Sequence, residues 1–274
     1  MRRTANALLI LLVMLASAAH AAAAPAAPAR AKGHLIVVGG GGVPEAVLKR
    51  ALELAGGPAA KIAILPQASE LADTGDVAVE MWRKAGATSA RWLPLTDLPA
   101  ARTAVSEAAL IWFPGGDQVR LVNALKDTGL PAIIRQRYAA GAVVGGTSAG
   151  AAVMSTVMLT GDADLQSITV GATKTVDGLG LWPEVIVDQH FLKRQRHSRL
   201  ISLLLEHPSL LAVAIDEKTA VIVSGNRFEV MGDSTVVVMD ARKATVEPRA
   251  AGQLAAARGI TLHVLTAGMG MKYR

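Results

Sequence analysis

A serine set between glycines at the end of an apolar run is the first place where this chain can do chemistry. Gly146-Thr147-Ser148-Ala149-Gly150 follows Ala142-Val143-Val144 and precedes the helix-like Ala151-Ala152-Val153-Met154, the order of a G-x-S-x-G nucleophile elbow. A serine on such a strand-to-helix turn projects its hydroxyl off the sheet edge, and flanking glycines remove the Cβ atoms that would clash there. The helix behind it offers free N–H groups and a positive dipole end, both suited to an oxyanion. Ser148 is therefore the candidate nucleophile, and a serine needs a base.

Beyond residue 24 the histidines are His34, His190, His197, His207 and His263. His190 is the best placed of these, because Asp188-Gln189-His190-Phe191 follows the apolar Val185-Ile186-Val187. A strand end there presents polar side chains at the same sheet edge as the elbow. An imidazole acting as base needs a carboxylate to hold one tautomer and stabilise the cation that forms. Ile215-Asp216-Glu217-Lys218, after the apolar Leu211–Ile215, supplies one; spacing alone does not separate Asp216 from Glu217. A fourth element is Phe113-Pro114-Gly115-Gly116-Asp117-Gln118. Glycines at a strand end leave backbone N–H groups open to a ligand, so Gly116 with Ala149 is the expected oxyanion hole.

These residues require a scaffold that brings several strand ends together. β-type runs at His34–Val38, 61–65, 89–93 and 109–113 alternate with helical patterns near 45–55, 76–85 and 118–126. Such alternation predicts an α/β fold with a mostly parallel sheet covered by helices on both faces. The elbow strand at 142–145 continues the series. Later apolar runs at 185–187, 211–215, 220–223, 228–231 and 235–239 are separated by turn residues such as Ser224-Gly225-Asn226 and Gly232-Asp233. They are expected to add C-terminal hairpins to one edge of the sheet.

Taken as a set, the Gly-Thr-Ser-Ala-Gly-Ala elbow, the Gly-Gly-Asp-Gln loop, Asp-Gln-His-Phe with its following arginines, and Ile-Asp-Glu resemble the cyanophycinase branch of the S51 serine peptidases. The resemblance runs from about Gly33 to the end of the chain. It implies a flavodoxin-like α/β domain related to class I glutamine amidotransferases, with the triad order Ser, His, Glu. It therefore favours Glu217 over Asp216. The α/β-hydrolase order, with the acid before the histidine, does not occur here. The resemblance also gives a role to Lys193-Arg194-Gln195-Arg196-His197-Ser198-Arg199. On a helix, Arg196 and Arg199 share a face, and two guanidiniums beside the base suit substrate carboxylates. Gln118, Asp188, Gln189, Arg194, Arg196 and Arg199 are the implied substrate-binding residues, Asp188 meeting substrate arginine and the arginines meeting aspartyl carboxylates.

The implied activity is hydrolysis of cyanophycin, a polymer rich in Asp and Arg, to β-aspartyl-arginine dipeptides through an acyl-enzyme. An S51 aspartyl dipeptidase and a non-catalytic binding module on the same fold are the alternatives, and the resemblance also admits a homodimer.

Composition narrows the partners. The 274-residue chain is 51% hydrophobic and lacks cysteine, which excludes a thiol nucleophile, thiolate metal sites and disulfides. Residues 1–24 read as a signal peptide: Arg2 and Arg3, an apolar Leu8–Leu15, then Ala19-His20-Ala21. The apolar run is short of the ~20 residues a membrane span needs, so an exported protein without a stable membrane anchor is expected, in the periplasm or outside the cell. Residues 25–32, rich in Ala and Pro, read as a flexible leader, and 33–274 as a single catalytic domain.

Without residues 1–24 there are 26 Lys and Arg against 22 Asp and Glu, a net charge of +4. This weak, scattered charge is not the footprint of a nucleic-acid binder. Gly39-Gly40-Gly41-Gly42 begins the spacing of a dinucleotide-binding loop, but Pro44 stands at the third glycine position. It is read as a tight turn. With no P-loop lysine and no H-E-x-x-H, neither cofactor nor metal is expected.

Overall fold

A computed structural model describes residues 31–274; the signal peptide and most of the leader read from the sequence lie outside the described residues. The N-terminal half alternates β1 (His34–Val38), α1 (Glu45–Leu54), β2 (Ile62–Ile64), α2 (Thr74–Lys84), β3 (Ala90–Trp92), α3 (Leu98–Glu107), β4 (Leu110–Phe113), α4 (Gln118–Leu125), α5 (Leu130–Ala140) and β5 (Val143–Thr147). A single helical turn, α6 (Ala149–Ala152), follows. Then come β6 (Val157–Ala163), β7 (Thr173–Asp177), β8 (Val185–Gln189), α7 (His197–Glu206), β9 (Leu211–Ile215), β10 (Thr219–Ser224), β11 (Arg227–Gly232) and β12 (Val236–Asp240). The chain ends through β13 (Thr245–Glu247), β14 (Ala256–Arg258), β15 (Thr261–Leu265) and β16 (Gly270–Lys272).

The main sheet has eight strands in the order β16-β11-β10-β1-β5-β4-β2-β3. Its parallel part, β1-β5-β4-β2-β3, is flavodoxin-like and carries helices on both faces. β1 shows why its sequence has no polar alternation. Leu35 and Val37 enter the core with α3, α4 and α5, while Ile36 and Val38 enter the opposite core with α1 and α2. Both faces being covered, every position after His34 is apolar and buried.

The expectation that all the later strands join one sheet edge is corrected. Only β10, β11 and β16 extend the main sheet, by antiparallel pairing from β1. The runs at 185–187, 211–215 and 235–239 belong instead to a second sheet, β15-β12-β9-β8. The physical reason lies in their side chains, which are apolar at successive positions. Val185, Val187, Val213 and Val236 face the main core, while Ile186, Ala212, Ala214 and Val237 face α7. A strand buried on both faces needs two covering layers, here the main core on one side and α7 on the other. The β6–β7 hairpin and the helices α3 and α5 were not distinguished in the sequence.

This topology brings five C-terminal strand ends together. Those of β1, β4 and β5 belong to the main sheet, and those of β8 and β9 to the second, where β8 and β9 run parallel. Crevices at the carboxyl ends of parallel strands are the usual ligand positions in such folds.

Candidate active site

Ser148 stands between β5 and α6 with φ 55° and ψ −113°, a conformation that costs of the order of 1–3 kcal/mol for a residue with a side chain. Close approach explains its glycines. A Cβ on Gly146 would lie 2.4 Å from the Gly150 carbonyl oxygen, and one on Gly150 would lie 2.1 Å from that of Phe113. The turn is therefore wedged between β4 and its own helix, and the Ser148 N–H donates to the Val38 carbonyl at 3.0 Å.

The Ser148 hydroxyl lies 2.8 Å from His190 Nε2, and His190 Nδ1 lies 2.7 Å from Glu217 Oε1. Asp216, which the spacing left as an equal alternative, does another job. Its Oδ1 accepts the N–H groups of Leu192 and Lys193, and its Oδ2 accepts the Ser234 hydroxyl. Burial pushes the Asp216 carboxyl up, and these hydrogen bonds outweigh it, leaving the group below the ordinary carboxylate range. It thus anchors the turn that follows His190.

The His190 pKa lies below the ordinary histidine value, chiefly because the ring is buried. Glu217 works against that shift, while Arg194 and Arg196 add to it. A neutral ring, with Nδ1–H donated to Glu217, leaves the Nε2 lone pair to accept a proton from Ser148. The loop after β4 lies over the serine: a Cβ on Gly115 would be 3.5 Å from Ser148 Cβ. The N–H groups of Gly116 and Ala149 donate to no protein acceptor among the described residues.

Gly39–Gly42, read as a plain turn, proves to be part of this site. The Gly39 carbonyl accepts His190 N–H at 2.7 Å, the Gly40 carbonyl accepts Lys218 N–H at 2.7 Å, and Gly39 N–H donates to Thr219 at 2.9 Å. With Val38 holding Ser148, the end of β1 grips all three loops that carry the relay. Space explains the residue type. A Cβ on Gly40, where φ is +103°, would lie 2.3 Å from the His190 ring, and one on Gly41 would lie 2.7 Å from a Glu217 carboxylate oxygen. The only sequence signal was the glycine run itself, which cannot reveal what lies across from it.

The six expected substrate-binding residues divide. Arg194 is exposed beside the imidazole, its N–H donating to the His190 carbonyl. The other five are buried. Asp188 is fully buried and accepts two hydrogen bonds from Arg199, one from Nε at 2.9 Å and one from Nη2. Arg199 is itself 2% exposed. Arg196 gives Nη1 to the carbonyl and side chain of Gln189; burial first, then Arg199, lowers its pKa to about 10. Gln118 is buried and donates Nε2 to the Leu159 carbonyl at 2.9 Å. Asp188 and Arg199 match each other's charge inside the protein, as charges taken out of water must be, while Gln118, Gln189 and Arg196 each spend part of their hydrogen-bonding capacity on it. They buttress the strand end that delivers His190.

Among the described residues, no group of three or more His, Asp or Glu is placed to hold a metal ion, and no helix is long and apolar enough to cross a membrane. Residues 35–231 match the family model described as peptidase family S51. The chain belongs to peptidase family S51. It is 39% identical over 227 residues to a cyanophycinase from Geminocystis herdmanii, spanning 80% of this chain and 83% of that protein. A cyanophycinase from Nostoc sp. is 36% identical over 233 residues, 81% of this chain and 78% of that protein. Among solved structures, a peptidase from an acI-B1 Actinobacterium superposes with a TM-score of 0.66 at 25% identity, covering 89% of this chain and 98% of that one. Like other S51 members, the chain is thus a serine-type peptidase of the α/β class.

Proposed function

We propose that this S51 peptidase is a cyanophycinase that releases β-aspartyl-arginine dipeptides through an acyl-enzyme, with Ser148, His190 and Glu217 as its triad. The observation that carries the reading is the continuous hydrogen-bonded relay from the Ser148 hydroxyl through His190 to Glu217. The substrate is taken from the likeness to the cyanophycinases.

In the first half-reaction, Ser148 Oγ bonds to the scissile carbonyl carbon while His190 Nε2 takes its proton. The carbonyl oxygen becomes an oxyanion, held by the N–H groups of Gly116 and Ala149. The carbon–nitrogen bond then breaks as the imidazolium gives its proton to the departing amine, leaving an ester on Ser148. Water, deprotonated by the same ring, attacks that ester and restores the hydroxyl. Glu217 keeps its charge throughout, fixing the tautomer and stabilising the cation.

The exposed Arg194 guanidinium suits a substrate carboxylate at the mouth of the site. Export of the mature enzyme from an N-terminal signal at residues 1–24 belongs to the same proposal, and N-terminal sequencing of the exported form tests it. Dipeptide release from cyanophycin, measured beside hydrolysis of aspartyl dipeptides, tests the substrate. Faster turnover of the dipeptides would move the assignment to the aspartyl dipeptidases. Failure of a serine-directed reagent to label Ser148 would favour a binding module.

A further inference from the structure

A cavity of about 570 Å³ lies between the start of α4 and the β6–β7 hairpin, lined by Asp117, Thr160, Asp162, Lys174 and neighbouring residues. That volume is within the range of small-molecule sites. Asp117 is two residues along from Gly115, a Cβ on which would lie 3.5 Å from Ser148 Cβ, so the loop that lies over the serine runs on into the cavity wall. The hairpin forming its far wall is tied to the site from behind. Gln118 donates to Leu159, and Thr173 donates its hydroxyl to the Arg199 carbonyl at 3.0 Å.

The wall is rigid underneath and adjustable at its rim. Lys174 Nζ and Asp162 Oδ2 are 3.3 Å apart, and both side chains are more than two-thirds exposed. An exposed ion pair of this kind contributes little to stability, so a ligand can exchange with it at small cost. Asp117 spends Oδ1 on the Arg120 N–H at 2.8 Å, capping α4, and keeps Oδ2 available. Gly161 leaves the centre of the rim open, since a Cβ there would meet nothing within 4 Å. One cation and two carboxylates across a cleft match a ligand that carries a carboxylate and a guanidinium together.

We propose that this cleft is a second substrate subsite. It takes the aspartyl-arginine unit next to the one being cleaved, Lys174 receiving the carboxylate of that unit and Asp162 with Asp117 its guanidinium. This rests on the substrate assigned above, and it gives the enzyme a reason to prefer a chain over a single dipeptide.

The test measures equilibrium binding to the inactive Ser148→Ala variant, comparing one β-aspartyl-arginine unit with two linked units. The second unit is expected to tighten binding about tenfold at low salt, a gain that shrinks as salt screens the rim charges. Lys174→Glu should abolish the gain. Lys174→Met, which keeps the alkyl stem against the hairpin, should remove about two- to fivefold of it. A gain untouched by either substitution would overturn the subsite and leave the substrate assignment standing. Binding of neither ligand, by protein whose wild-type Ser148 still reacts with a serine-directed reagent, would overturn the substrate assignment and the subsite with it.

Discussion

The two walls that flank Ser148 are built on opposite terms. On the β1 side, Gly39 and Gly40 hold the loops of His190 and Glu217 by backbone hydrogen bonds, with no space left for a methyl group. On the β6–β7 side, an exposed ion pair borders an open cleft. The wall that sets the reacting geometry is made of main chain and tolerates almost no change, because proton transfer is sensitive to small displacements. The wall assigned to substrate choice is made of long charged side chains that can re-pair. A peptidase built this way can alter its specificity without disturbing its chemistry.

Substitutions on the two sides should separate cleanly. Ser148→Ala removes the proposed attacking atom, and dipeptide release should fall about 10⁴- to 10⁶-fold, read from kcat. Arg199→Met removes the nearer of the two cations beside the buried Asp188, leaving Arg196 at 3.7 Å, and should destabilise the fold by about 2–3 kcal/mol, measured by denaturant unfolding. A loss below about 1 kcal/mol would mean that Asp188 does not depend on Arg199. Gly40→Ala forces the imidazole to move and should lower kcat about a hundredfold with far less effect on KM. Unchanged kcat would show that the β1 turn does not set the position of the base.

The smallest effect concerns pH. The proposed base works only when neutral, so kcat/KM should fall as pH drops through a midpoint below 6.5. Arg194 helps to lower the His190 pKa, and Arg194→Gln should move that midpoint upward. The displacement should be only a few tenths of a pH unit, because the guanidinium is exposed and screened. A downward movement would contradict the sign of the Arg194 contribution.

The parallel half of the fold was legible because strands buried on both faces must be continuously apolar, as at Leu35–Val38 and Leu110–Phe113. Ser148 and His190 were each legible as a polar residue just beyond such a run, Glu217 only as one of two acids until the resemblance favoured it, and the structure places the serine and the glutamate within hydrogen-bonding distance of the histidine. What stayed hidden depended on partners distant in sequence. An apolar strand reads the same whether it extends one sheet or founds another, so Leu211–Ile215 did not disclose the second sheet. Nor did the basic run after His190, read as meeting substrate carboxylates, disclose that Arg199 pairs with the buried Asp188. Gly39–Gly42 had the composition of any turn, and only the packed ring and carboxylate opposite explain it.

The grip of β1 on residues as late as Lys218 and Thr219 has a consequence for how the enzyme comes into being. The proposed reacting groups are contributed by segments far apart along the polypeptide, and none is in register until the whole stretch from 34 to 219 has docked. A truncated or half-folded copy therefore has no partial hydrolytic power, and the onset of turnover during refolding should coincide with completion of native structure.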